Sequence, residues 1–312
     1  MIYKKRKKPT VLAMLEVLHN RSQLGAKVHK YYINQKKGYY GECCFDVLTQ
    51  KLVCECLVLN DLPFLDDGNE FQIDALIITA YAIYLYEIKN YEGTYYYKEG
   101  FFHSVFSDFK FESPIEWLNR KETYLQKILH DRGINLPIKS FTVFINPEFT
   151  LYDISYSEKV ILPTAIPKHF RQMNQLDGEL NQEHTNVARK LCEVSAKYIP
   201  RLKGVPDYEY EDLKKGLICE NCGDFIHEVQ DKRKTITCTG CGHRELAADC
   251  VFRHMEECIM MFPERKLAVK LVYSWCGGTV TEKRIRYAFK KNYQAQGYGR
   301  GRYYEQPKTE TA

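Results

Sequence analysis

Apolar positions recur at two periods along the chain, and the changes of period mark out its elements. Residues 9–34 place Val11, Leu12, Leu15, Leu18, Leu24 and Val28 at helical spacing, weakening after Leu18. This predicts a leader helix, broken near Asn20. Gly38 and Gly41 then punctuate the chain. A second helix is expected over residues 40–52, with Cys44, Phe45, Leu48 and Leu52 on one face. Residues 53–59 (VCECLVL) read as a strand and residues 63–69 as a turn. Residues 71–93, FQIDALIITAYAIYLYEIKNYEG, are almost wholly apolar and β-forming. They predict two strands, with no strong turn signal between Thr79 and Ala82. Residues 94–106 read as a further hairpin around Lys98-Glu99-Gly100. Ser113 at the cap, Pro114 at the first position and Glu116 open a helix. Its apolar stripe is Ile115, Leu118, Leu125, Ile128 and Leu129, and it stops near Gly133. Residues 139–146 (KSFTVFIN) give another strand. From 147 to 181 the signal is poor, with a short strand expected at 160–162. Residues 182–198 are again helical.

That order describes a compact α/β unit of helix, strands, helix and strand. Pro200, Gly204 and Pro206 then mark a linker. The expected partition is an N-terminal helix (1–37), an α/β domain (38–200), a linker (201–216), a cysteine-bearing segment (217–245) and a helical basic module (246–312). Within the last, residues 267–276 are helical, Gly277-Gly278 turn, and Thr281 caps a second helix to Asn292. This has the shape of a helix-turn-helix. Ile285, Ala288 and Phe289 would face inward, leaving Lys283, Arg284, Arg286, Lys290 and Lys291 outward for a DNA groove or phosphates. The following GYGRGRYY mixes Arg, Gly and Tyr as a flexible tail suited to nucleic acid. Such helix pairs also serve as protein-interaction modules.

Charge sharpens this picture. Residues 261–302 carry ten Lys or Arg against Glu264 and Glu282, a local balance of +8 in a chain of +5, so the remainder is −3. Five of the first eight residues are also basic. Basic ends on a near-neutral body point to a polyanionic partner, with a merely solvated basic face as the competing reading. No apolar run is long enough to span a membrane or to serve as a signal peptide, so a cytoplasmic protein is expected.

The chain has twelve cysteines. Cys43, Cys44, Cys54, Cys56 and Cys192 are scattered through apolar or helical segments and read as reduced side chains. Cys219-x-x-Cys222, fifteen residues, then Cys238-x-x-Cys241 have the spacing of tetrahedral zinc, each pair followed by a glycine, Gly223 or Gly242. A structural zinc ribbon is expected there, with Zn2+ required for it to fold. Cys250, His254 and Cys258 share a helix face, read as core in preference to a second metal site.

Inside the apolar stretch of residues 71–93 lie three charges, Asp74, Glu87 and Lys89. A buried acid is costly unless it is paired or holds a cation. Glu87 and Lys89 are two apart and project from one face of a strand. Phosphodiester hydrolysis needs a divalent cation, an activated water and stabilisation of the leaving oxygen. Asp74 and Glu87 could hold Mg2+ or Mn2+, with the Ile88 carbonyl as a third ligand and Lys89 turned to the water or the developing charge. Glu42, upstream, could complete the cluster, or it could be an acid favoured by a helix N-terminus. The competing reading is a buried salt bridge of Lys89 with Glu87 or Asp74, and residue types alone weigh the two evenly.

Residues 38 to about 149 resemble the nuclease-related domain (NERD), a branch of the PD-(D/E)XK nuclease superfamily. The resemblance lies in Gly41-Glu42, in Gln72-Ile73-Asp74 on one strand, in Glu87-Ile88-Lys89-Asn90 on the next, and in Gly93. The Ser113-Pro114 helix start and FTVFIN strand follow in the family's order. The resemblance implies a restriction-endonuclease-like core, an αβββαβ mixed sheet. It also implies a catalytic set of Glu42, Asp74, Glu87 and Lys89, with Gln72 a weaker member, and Mg2+ or Mn2+ held by Asp74, Glu87 and Glu42. Two positions depart from the family: no glycine stands between Thr79 and Ala82, and Trp117 stands where glutamine is common. The expected function is a Mg2+- or Mn2+-dependent DNA nuclease targeted by its zinc ribbon and basic C-terminus. The alternative is a catalytically silent DNA-binding or regulatory protein that keeps the fold.

Overall fold

The computed structural model describes residues 1–66, 68–154, 159–198, 201–230 and 233–305. In chain order the first elements are β1 (Ile2–Lys4), α1 (Thr10–Arg21), α2 (Ala26–Thr49), β2 (Leu57–Asp66), β3 (Asn69–Ile78) and β4 (Ile83–Lys89). Then come β5 (Gly93–Lys98), β6 (Phe101–Ser104), β7 (Lys110–Glu112), α3 (Pro114–His130), β8 (Ile138–Phe144), β9 (Phe149–Tyr152), β10 (Val160–Ile161), α4 (Ile166–Met173) and α5 (Gln182–Ala196). The chain ends with β11 (Leu217–Ile218), β12 (Phe225–Ile226), β13 (Thr235–Thr237), β14 (Arg244–Leu246), α6 (Ala247–Met261), α7 (Val269–Trp275), α8 (Glu282–Asn292), β15 (Gln294–Gln296) and β16 (Tyr303–Glu305). These elements form two compact units, Met1–Pro9 with Ile33–Leu202 and Thr10–Tyr32 with Lys203–Ala312. The expected linker start at Pro200 lies outside the described residues.

The first unit is a mixed α/β structure. Its main sheet has the order β1-β2-β3-β4-β8-β10. β2, β3 and β4 run antiparallel in sequence, and β8 joins β4 in parallel after the α3 crossover. One face packs Leu57, Leu59, Leu76, Ile78 and Leu85 against Leu118 and Leu125 of α3 and Val187 and Leu191 of α5. The other packs Val58, Ile77, Tyr86 and Ile88 against Phe45 of α2 and Ile166 and Met173 of α4. Both faces being covered explains why β3 and β4 read as continuous apolar runs without alternation. A second sheet, β7-β6-β5-β9, closes over Phe102, Phe144, Phe149 and Leu151.

Several elements differ from the sequence reading. α2 runs unbroken through Gly38 and Gly41, so Glu42 lies in mid-helix, far from the dipole that a first-turn position would supply. Gly41 is an approach point: a Cβ there would sit 2.5 Å from Asn90 Cβ. β2 continues through Pro63, which pairs with Gln72 where the turn was expected. β1 pairs only with Val58 and Leu59, so at Pro63 the outer side of β2 is an edge and a missing N–H is tolerated. Asp67, in the expected turn, lies outside the described residues. The link between β3 and β4 needs no glycine because Thr79 closes it. Its N–H and hydroxyl both donate to the Ala82 carbonyl, and the hydroxyl accepts from Ala82 N–H. β9 and α4 form in the stretch of weak signal.

The second unit joins α1 to the C-terminal elements. Met14, Val17 and Leu18 of α1 share a core with Tyr210, Leu213, Cys258, Met261, Phe262 and Trp275. Arg21 is fully buried there. It pairs with Glu257 at 2.5 Å, donates to the Lys214 and Gly216 carbonyls, and lies over the Trp275 ring. A further core runs from Leu217 to Tyr293 and includes Cys219 and Cys238. The GYGRGRYY stretch, expected to be flexible, connects β15 to β16 and supplies Tyr303 and Tyr304 of the latter, with Tyr304 stacked on Phe289 of α8 at 3.9 Å. The tail after residue 305 lies outside the described residues.

Candidate active site

Asp74 and Glu87 stand on neighbouring strands, both buried. The pairing of β2 with β3 keeps one register on both sides of Asp74, but the side-chain alternation breaks there. Ile73 and Leu76 pack into one cluster, as do Leu59 and Leu62, which strict two-residue alternation forbids. Asp61, opposite Asp74, has a positive φ of 57°. The break changes which face the neighbouring side chains take. Asp74 Oδ2 accepts from the Ile88 N–H at 2.7 Å. Lys89 Nζ donates to Glu87 Oε1 at 2.6 Å, so the spacing-based expectation that these two share a face holds in the geometry.

Two cations absent from the sequence reading complete the centre. Lys121 of α3 donates to Glu87 Oε2 and lies 4.0 Å from Asp74 Oδ1. Arg6, its side chain 3% exposed, donates to Glu42 at 2.6 Å, to both oxygens of Asp46 and to the Asp74 carbonyl. Lys121 had a signal: it lies three residues after Leu118 and four before Leu125, a charge inside the apolar stripe of a helix. Arg6 had little, being the one arginine in a lysine run. That run is not one solvated face, since Lys4 also turns inward, onto the carbonyls of Asn60 and Asp61.

Proton affinities follow from these neighbours. Burial, and then Asp74, push the Glu42 carboxyl up to about 8 despite Arg6. Burial and the Glu87 charge raise Asp74. Burial works to raise Glu87 too, but the Lys121 and Lys89 ammonium groups outweigh it and hold that carboxyl low. Burial disfavours the Lys89 ammonium, yet Glu87 and Asp74 raise its affinity for the proton. Crowded acids of this kind favour a cation.

Asp74 Oδ1 and Glu87 Oε2 therefore converge on one positive group, and hard oxygen donors suit a divalent ion at that point. Glu42 reaches the centre through Arg6. Among the described residues, the three carboxylates do not draw as close together as the four cysteines below. Gln72 turns away to Asp61, donating to its Oδ1 at 2.8 Å.

In the second unit, Cys219, Cys222, Cys238 and Cys241 place their sulfurs within 4.8 Å of one another. The two knuckles are built alike. Cys219 N–H donates to the Asp224 carbonyl and Gly223 N–H to that of Cys219; Cys238, His243 and Gly242 repeat the pattern. Gly223 and Gly242 take φ of 78° and 75°, which glycine adopts without strain. Sulfurs of the two knuckles approach to 3.7 Å. A tetrahedron with metal–sulfur bonds of about 2.3 Å has edges of about 3.8 Å, so the cluster has the dimensions of a metal site. His254 belongs to the core: its Nε2 accepts from Ile218 N–H at 2.8 Å and its Nδ1–H donates to the Cys250 carbonyl. Burial takes it down to about 3, so it stays neutral.

α8 buries Ile285, Ala288 and Phe289 and exposes Lys283, Arg286, Lys290 and Lys291. Arg284, expected among the outward cations, clamps the carbonyls of Gln230 and Arg233. Thr281 stands at the cap position without a side-chain capping bond. No helix among the described residues is long and apolar enough to cross a membrane.

Residues 37–145 match a family model described as the nuclease-related domain. The match takes in Glu42, Gln72, Asp74, Glu87, Lys89 and Lys121. Neither a curated protein nor a solved structure matches the chain.

Proposed function

We propose, from the nuclease-related domain at residues 37–145 as premise, that the chain is a divalent-metal-dependent nuclease acting on DNA. One observation carries the reading: Asp74 and Glu87, on adjacent strands, turn carboxylate oxygens toward a common point beside Lys89. Asp74 and Glu87 would hold Mg2+ or Mn2+, with Glu42 behind them, hydrogen-bonded to Arg6. The bound ion would supply charge neutralisation at the scissile phosphate and acidify a water. Asp74 is held in place by the Ile88 N–H. Lys89 keeps Glu87 ionised and offers its ammonium to the attacking water or the leaving oxygen. Zn2+ in the four-cysteine cluster would hold the second unit together, and the exposed cations of α8 would bind phosphates, in the manner of a helix-turn-helix. A cytoplasmic setting suits the thiols that this requires.

With Mn2+, the purified chain is expected to cut at least one of plasmid, linear duplex or single-stranded DNA. D74A and K89A should slow cutting by about 100-fold or more, the scale of losing one transition-state contact. Cutting by D74A and K89A at the wild-type rate would sink the reading. A silent DNA-binding protein is the second reading. It is favoured by the occupation of both Glu87 oxygens by lysines and of Glu42 by Arg6. Salt-dependent DNA affinity without Mn2+ binding would decide for it.

A further inference from the structure

Lys121 belongs to no part of the acid–lysine motif, yet it occupies the centre of the site. α3 turns Leu118, Leu125, Ile128 and Leu129 into the core. Lys121 shares their face, so its stem lies along apolar surface and its head is delivered to the acids. The side chain is 13% exposed. Its ammonium contacts Glu87 Oε2 and approaches Asp74 Oδ1 at 4.0 Å. Lys89 already serves the other Glu87 oxygen. Two acids thus meet two ammonium groups, and the centre is neutral without any further ion.

We propose that Lys121 is a resident cation: it holds Asp74 and Glu87 in register for a divalent ion and gives way when that ion binds. The inference rests on the metal-dependent reading above and concerns how that site is loaded. A divalent ion at the same two oxygens would leave the centre two charges in excess while Lys121 stays. Like charges about 4 Å apart in a partly buried site repel strongly. The lysine stem is flexible, so the head can swing off Glu87. Its positive charge then stands ready for an anionic phosphate. Lys121 acts here as a positioning residue, and its cost is a weaker hold on the metal.

A plain structural salt bridge makes a different forecast. Removing it would lower stability and leave metal affinity alone. The test is calorimetric Mn2+ titration of the full chain as wild type, K121M, K121R and D74A, with thermal melts at matched Mn2+. Methionine keeps the stem without the charge. The expected result is about tenfold tighter Mn2+ binding by K121M, with wild-type or weaker binding by K121R. K121M should also melt lower than wild type without Mn2+ and gain more on its addition. If K121M does not fold, K121Q serves in its place. Equal or weaker Mn2+ binding by the neutral variant overturns the role of Lys121 alone, provided D74A abolishes binding. If no variant binds Mn2+, or if D74A binds as well as wild type, the metal site itself fails, and this role with it.

Discussion

Arg6 serves four acceptor atoms at once: one oxygen of Glu42, both of Asp46 and the Asp74 carbonyl. Its planar fork suits that geometry, and a lysine would not reproduce it. Breaking a buried pair leaves uncompensated charge behind, at about 3–5 kcal/mol. R6M is therefore expected to lower stability by that order in denaturant unfolding, and R6K to recover part of it. His169 makes a prediction of opposite kind. It meets the Tyr86 hydroxyl at 2.8 Å, and burial takes it down to about 4 from an ordinary 6.5. The folded state thus prefers the neutral ring. The stability it contributes is present above pH 6.5 and lost as pH falls toward 4, on the order of 1–3 kcal/mol. Unfolding of H169Q should show a shallower loss over that window than wild type. At this scale the motif residues were legible and their partners were not. Asp74, Glu87 and Lys89 stood out as charges in an apolar run. Arg6 is set by a contact 68 residues away along the chain, to Asp74, which no local pattern encodes.

The helix α2 shows how an element can be read correctly in kind and wrongly in extent. Gly38 and Gly41 look like breaks, since glycine weakens a helix by about 1 kcal/mol. In the fold, Gly41 lets α2 reach the end of β4, where Asn90 donates to the Lys37 carbonyl at 2.8 Å. Gly41 brings the helix close, and Glu42 beside it accepts from Arg6. G41V should force α2 off Asn90, costing about 1–3 kcal/mol in unfolding experiments, and should loosen Glu42 from Arg6. α3 and α5 were visible because each carries a long apolar stripe, and Ser113 caps the former as expected. α4 and β9 were not, being short and set by packing on β8 and β5. The β15–β16 hairpin was hidden by its composition. Glycine-rich sequence reads as flexible until a partner such as Phe289 is there to stack upon.

Each unit of the molecule has its own core, with the acid–lysine cluster in the first and the cysteine cluster in the second. The cysteine cluster adds Cys219 and Cys238 to the core of the second unit, so a metal held there would be linked to the packing. About one zinc per chain is expected by elemental analysis, lost in C222S/C241S together with several degrees of melting temperature. Spacing made this cluster legible, because four cysteines in two close pairs leave few other arrangements. The acid–lysine centre of the first unit was legible only through the order of its residues along the chain. The most direct measurement of its chemistry is cleavage of a DNA panel by wild type and E87A, side by side, with Mn2+ and with chelator. The expected result is cutting by wild type that needs Mn2+ and falls by about 100-fold or more in E87A. Cutting that survives in E87A, or that proceeds in chelator, would contradict it.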